Sequence, residues 1–232
     1  HRSIYYKVAV NGSRPLPVKA LHVFFHIRHV STMVNANKVL LPTAYLPPIV
    51  WCSACWNAET VVVEACENYQ KGSARNRALV VGPNGIQRLS IPLVKGKHQQ
   101  TDIRAVRIAY DEPWQRQHWR TIQTAYGNAP YFEHYGEGIR QFYNKPYTFL
   151  FDYNLAFLEF ILIKTMGWKG TLSMSESFSQ PSGNTLESSA MVRYPQVFED
   201  KHGFVPNLSV LDLLFCCGKY GGEILEKTRP IP

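Results

Sequence analysis

The sequence predicts a mixed α/β or α+β single domain, with a small mixed sheet in its first half and a helical second half. Two observations lead there. Short β-branched runs bounded by Pro, Gly and Asn fill residues 38 to 108, including Val61-Val62-Val63 and Ala78-Leu79-Val80-Val81. Apolar and aromatic residues then recur at helical spacing from Trp114 to Lys164.

Taken in order, Lys38–Leu41 reads as a short strand stopped by Pro42 and by Pro47-Pro48. Ile49–Asn57 suits a short helix with Pro48 at its first position. Val61–Ala65 reads as a buried strand. Ala78–Val81 and Ile86–Leu93 flank Gly82-Pro83-Asn84-Gly85, whose Asn-Gly pair is a strong hairpin signal. Ile103–Ile108 alternates Ile, Val and Ile with Arg104 and Arg107, as a half-exposed strand would. Trp114–Tyr126 and Tyr131–Tyr143 each place aromatic and aliphatic residues on one helical face, and Tyr147–Lys164 reads as a long apolar helix. Gly167–Pro195 is rich in Ser, Gly and Asn and reads as a mobile or functional loop. Asn207 or Ser209 is placed to cap a last helix through Phe215 that ends at Gly218.

Residues 1–32 differ from the rest. They hold four of the eight histidines and five basic residues with no Asp or Glu, so they supply five of the eight net positive charges. Met33 stands just before the first strand. The expectation is an N-terminal extension over 1–32, poorly ordered or outside the native protein, followed by one domain over 33–232.

With that segment set aside, only +3 remains over 200 residues, too little for a phosphate-tracking field, so a nucleic-acid partner is not expected. The longest apolar stretch, Phe149 to Ile163, is broken by Asp152, Asn154 and Glu159 and is no membrane span. Leu21–Ile27 is too short and His-rich for a secretory signal. Five cysteines without framework spacing suit a reducing, cytoplasmic setting. Cys52-Ser53-Ala54-Cys55 lacks the further ligands that a metal needs and reads as buried helix surface, and no metal site is expected.

The densest chemistry lies between the second and third strands. Glu67-Asn68-Tyr69-Gln70-Lys71-Gly72-Ser73-Ala74-Arg75-Asn76-Arg77 carries far more donors and acceptors than a turn requires. Arg75 or Arg77 suits bidentate capture of a phosphate or carboxylate, and Lys71 supplies a point charge. Asn68, Gln70 and Asn76 suit sugar hydroxyls or a base edge, or equally their own backbone. Thr43 ends the first strand before a helix, where α/β sheets bind anions. His118 is the best general-base candidate by its ordinary pKa, although a packed helix histidine explains it as well. Asp212, amid Leu211, Leu213 and Leu214, suits a buried carboxylate paired with an Arg, or a helix-dipole role.

Several stretches together resemble a family. They are Leu41-Pro42-Thr43-Ala44-Tyr45-Leu46-Pro47-Pro48, Glu67-Asn68-Tyr69-Gln70-Lys71 with Asn76-Arg77, Trp114 through His118 to Tyr126 with Ala129-Pro130-Tyr131-Phe132, Tyr194-Pro195-Gln196-Val197-Phe198, and Pro206 through Asp212 to Phe215. Their order and spacing over about residues 38–220 resemble the WbqC-like protein family of bacteria, in particular its shorter, Bacteroidetes-type members. Leu41 stands where the family usually has Gln, and Ala44 is inserted between Thr43 and Tyr45.

The resemblance implies a transferase acting on a nucleotide-linked or phosphorylated amino sugar in O-antigen-like polysaccharide biosynthesis. It adds Tyr45 and Gln196, both within the matching motifs, to the substrate-binding candidates. It specifies no cofactor and no oligomeric state. A non-catalytic binder of a small molecule or partner is the alternative, and RNA binding by the basic loop a weaker one.

Overall fold

A computed structural model describes residues 38–94, 101–181 and 187–231, with the backbone alone at 187–190 and 229–231. The expected extension over 1–32 lies outside the described residues. From Lys38 onward these residues belong to one compact unit.

Three strands form a parallel sheet in the order β1 (Lys38–Pro42), β2 (Thr60–Glu64), β5 (Thr171–Met174). Leu41 sits opposite Val63, and Val62 opposite Ser173. Parallel neighbours need a crossover, and α1 (Ile49–Trp56) supplies it between β1 and β2. Pro48 is the residue before this helix rather than its first, one position earlier than expected. Cys52 and Cys55 lie within this helix, fully buried. An antiparallel hairpin of β3 (Arg77–Gly82) and β4 (Gly85–Ser90) completes the mixed sheet structure of the first half. Gly85 takes φ +99° at the turn, a conformation that favours glycine.

Ile103–Ile108 is a correction. Ile103–Ala105 forms a 3₁₀ turn instead of a strand, because Asp102 Oδ1 accepts from Arg104 N at 2.8 Å and pulls the chain round. The segment regains extended pairing only as isolated bridges, Arg107 with Phe149 and Ile108 with Leu93.

The helical half holds α2 (Trp114–Tyr126), α3 (Phe132–Arg140) and α4 (Leu150–Leu158). From Glu159 to Met166 the fourth helix widens into a π-helix, where Thr165 Oγ1 donates to the Phe160 carbonyl at 2.8 Å. Gly167–Pro195 is less irregular than expected, since it contributes β5 and a further strand, β6 (Glu187–Ala190), which pairs with β7 (Arg229–Ile231). α5 (Glu199–His202) docks on the hairpin turn through Lys201 Nζ to the Pro83 carbonyl at 2.6 Å. α6 (Val210–Cys217) is capped by Ser209, whose Oγ accepts from Leu211 N at 3.2 Å. α7 (Gly221–Lys227) closes on α1, where Ser53 Oγ donates to the Leu225 carbonyl at 2.7 Å.

One apolar cluster runs from Leu41, Val61 and Val63 in the sheet through Ile49 and Trp51 to Leu150, Phe157, Leu211 and Phe215. Among the described residues no helix is long and apolar enough to cross a membrane.

Candidate functional site

Ligands of open α/β sheets lie beyond the carboxyl ends of the strands. Here those ends are Pro42, Glu64 and Met174, and the 66–77 loop meets the segments that follow them, with Cys66 Sγ at the Ser175 carbonyl and the Ala74 carbonyl accepting from Tyr45 N. Two buried interactions hold this loop. Arg75 is turned inward and only 2% exposed, where its Nε donates to Glu67 Oε1 at 2.7 Å and its Nη2 to Glu67 Oε2. Asn76 is also turned inward, its Oδ1 accepting from Tyr69 OH and its Nδ2 donating to the Ile91 carbonyl, both at 2.9 Å. Below the loop, the buried Glu64 carboxylate accepts from Cys66 N and Ser175 Oγ, each at 2.6 Å, and from Ser179 N at 3.0 Å. It thereby joins the ends of β2 and β5.

Around this rib lie three depressions. One, of about 640 Å³, is lined by Asn68, Gln70 and Lys71 together with the exposed ring of Phe178. The other two adjoin each other as lobes of one groove, sharing Pro48, Ser73, Ala74 and Asn207. The first lobe, about 250 Å³, is lined by Thr43, Gln70, Arg75, Val50 and Trp51, at the start of α1. The second, about 270 Å³, is lined by Leu46, Arg77, Leu79, Arg88 and Ser209.

The hairpin register explains the pairing of cations in the second lobe. Arg77 lies opposite Ser90 and Leu79 opposite Arg88, so Arg77 and Arg88 are diagonal neighbours on one face. Among the described residues neither has an acidic partner, and Arg77 Nε is buried without a hydrogen bond. The only two non-glycine residues with positive φ among those described, Leu46 at 43° and Asn207 at 54°, both line this lobe.

Asn207 is set there by its neighbours. Its Oδ1 accepts from Val50 N at 3.0 Å and so caps α1 from across the groove. Ser209 N donates to the Leu79 carbonyl at 2.8 Å and fixes the 207–209 segment to β3. On the opposite wall Tyr45 N donates to the Ala74 carbonyl at 2.9 Å. Asn154 of α4 joins the walls, its Nδ2 donating to the Arg75 carbonyl at 2.7 Å and to Thr43 Oγ1 at 3.3 Å.

Of the residues singled out in the sequence, Thr43, Gln70 and Arg77 meet at this groove, and Asn68 and Lys71 flank it with Gln70. Arg75 lines the first lobe while bonded to Glu67, and Asn76 is turned inward within the loop. Tyr45, His118, Asp212 and Gln196 lie in two buried networks elsewhere. In the first, Tyr45 OH bonds His118 Nδ1 at 3.0 Å and Tyr143 OH at 2.7 Å. Burial lowers the His118 pKa to about 4, against a smaller raising effect from a hydrogen bond to the Ser90 backbone. The ring is therefore neutral at pH 7. The same burial raises the Tyr45 hydroxyl well above its usual value.

In the second network Asp212 is fully buried in the first turn of α6. Its Oδ2 accepts from Tyr194 OH at 2.6 Å and from Gln196 Nε2 at 2.9 Å, so these neutral donors take the place of the expected Arg. Desolvation raises its pKa, and the hydrogen bonds oppose that rise. The Tyr126 hydroxyl is near enough to favour the carboxylate, yet neither it nor Asp212 Oδ1 makes a well-aligned hydrogen bond. Gln196 also accepts from Val205 N at 2.8 Å and donates to the Val205 carbonyl at 2.9 Å.

Sequence reasoning passed over Arg88, Asn154, Asn207 as a groove residue, and Glu64. Only the Arg88–Arg77 diagonal had a readable signal, through the register that the Asn84-Gly85 turn imposes.

No curated protein and no solved structure matches this chain. The model of the WbqC-like protein family matches residues 43–191, a span that begins at the groove residue Thr43 and takes in the whole 66–77 loop. That match covers more than half of the chain, which therefore belongs to the WbqC-like protein family.

Proposed function

We propose that the groove binds an anionic small molecule, a phosphorylated or nucleotide-linked amino sugar, as substrate of a cytoplasmic transferase that serves surface-polysaccharide biosynthesis. The observation that carries this reading is Arg77, whose Nε is buried in the groove wall beside Arg88, neither of them with an acidic partner among the described residues. A buried donor left unmade costs about 1–3 kcal/mol, more for a charged group, and two adjacent cations repel. A bound phosphoryl group relieves both. Thr43 and Gln70 extend the binding surface, with Asn68 and Lys71 at its rim. The family membership supports the sugar as the kind of substrate.

The transfer itself would form an amide bond between the sugar amine and the carbonyl carbon of an activated acyl or aminoacyl donor, as the bond from that carbon to its leaving group breaks and the amine proton passes to the departing group. Tyr45 and Asn76 serve this reading by holding the walls, since their polar atoms bond within the protein. His118, Asp212 and Gln196 are likewise engaged internally and line neither lobe. That observation favours the second reading, a protein that binds the ligand without transforming it.

A thermal-shift panel of nucleotides, sugar phosphates and nucleotide sugars tests the binding. Ligand at a hundred times its Kd stabilises by about 2.7 kcal/mol, roughly 5–10 °C for a unit of this size. Arg77→Ala should weaken binding about ten- to a hundredfold, by loss of a charge-assisted hydrogen bond of roughly 1.5–3 kcal/mol. A panel without any shift removes the proposal. Product formation from a nucleotide sugar and an acyl donor separates the transferase from the plain binder.

A further inference from the structure

The lobe around Thr43 has a hydrogen-bond polarity that its charge does not reveal. Three amide orientations there are fixed, each by a partner of one kind only. The Arg75 carbonyl only accepts, so Asn154 Nδ2 must face it, at 2.7 Å, and the second Nδ2 proton goes to Thr43 Oγ1 at 3.3 Å. Thr43 Oγ1 is thereby the acceptor, and its own proton is left over. The Arg75 guanidinium only donates, so Gln70 Oε1 faces its Nη1 at 3.3 Å and Gln70 Nε2 is left over. Val50 N–H only donates, so Asn207 Oδ1 faces it at 3.0 Å and Asn207 Nδ2 is left over.

Thr43, 97% buried, lines this lobe with Gln70 and Asn207, and among the described residues none of the three spare donors has a partner. The side-chain acceptors of Gln70 and Asn207 are turned into the protein, and that of Thr43 is taken by Asn154. A sugar hydroxyl or a base edge offers donors as well as acceptors and would leave its donors unmatched here, whereas phosphoryl and carboxylate oxygens only accept.

We infer that the Thr43 lobe is a second oxyanion subsite, and that the ligand reaches from it to Arg77 through two linked anionic groups, as diphosphate esters do. This inference rests on the reading that the Arg77 lobe binds an anion, and it narrows that reading to the diphosphate class. Asn207 lines both lobes and marks where the two groups join. Asn154 is a positioning residue, since it fixes which way the Thr43 hydroxyl donates.

Calorimetric titration of the full chain with pyrophosphate and with orthophosphate tests it. The expected result is at least about a tenfold preference for pyrophosphate, the value of one additional charge-assisted contact. Gln70→Glu and Asn207→Asp each keep the internal acceptor oxygen and replace the outward NH₂ by an oxygen. Thr43→Val removes the spare donor without adding charge. All three should bring the pyrophosphate preference to within about threefold of parity, with an unchanged melting temperature as the sign of an intact fold. A preference that survives all three, or none in the unaltered protein while Arg77→Ala still abolishes orthophosphate binding, overturns the second subsite and leaves the Arg77 reading standing. If neither anion binds, both readings are overturned.

Discussion

Acidification should destabilise this fold through His118. Its ring is buried and neutral, with a pKa lowered from 6.5 to about 4 because desolvation penalises the charged form. With the folded pKa below the unfolded one, the unfolded chain takes the proton first. Stability from this group is complete above pH 6.5, falls through the window from 6.5 to 4, and is gone below about 4. The gap from 6.5 to about 4, at 1.36 kcal/mol per pH unit, corresponds to a limiting loss of about 3 kcal/mol, of which about 2 kcal/mol is reached by pH 5. Urea unfolding at pH 7.5 and pH 5, on the unaltered protein and on His118→Gln, isolates this contribution. A Gln amide keeps a polar group beside the Tyr45 hydroxyl but does not titrate, while the carboxylates are common to both proteins. The unaltered protein should lose about 2 kcal/mol more than the variant between the two pH values. Equal losses would refute the assignment of a neutral, desolvated ring.

Glu67→Ala takes away the carboxylate that faces the buried Arg75 charge, which should cost about 3–5 kcal/mol and lower the melting temperature by roughly 6–20 °C in calorimetry. Ser209→Ala removes the cap of α6 and should cost about 1 kcal/mol in chemical denaturation, with an unchanged m-value. Gly218→Ala should destabilise by more than about 1 kcal/mol, because φ there is +58° and a Cβ would stand 2.8 Å from the Tyr131 ring.

β1, β2 and β3 were readable because each is a short apolar run with a physical stop, and β4 because the turn before it sets its partner. The hairpin turn needs Gly85 at positive φ, and Asn84-Gly85 announces it. β5 was hidden since Thr171-Leu172-Ser173-Met174 has no apolar run, and its strand state comes from pairing with β2. Ile103–Ile108 misled in the opposite direction, where a local Asp102 side-chain bond outweighed alternation over six residues. At the site, composition marked the loop but not its inside and outside. Arg75 and Arg77 are two residues apart, and only the position of Glu67 in space decides which one is drawn in. His118 and Asp212 have the right chemistry for a base. Their partners Tyr45, Tyr143, Tyr194 and Gln196 come from distant parts of the chain, and no spacing in the sequence reveals them.

The inward Arg75 has a consequence for how quickly a ligand can be captured. A loop pinned by a buried ion pair does not have to wait for closure before contact, and its residues lose little further freedom when the groove fills. Encounter would then be limited by diffusion and by the field of Arg77 and Arg88, so that added salt slows association and leaves the escape rate nearly constant.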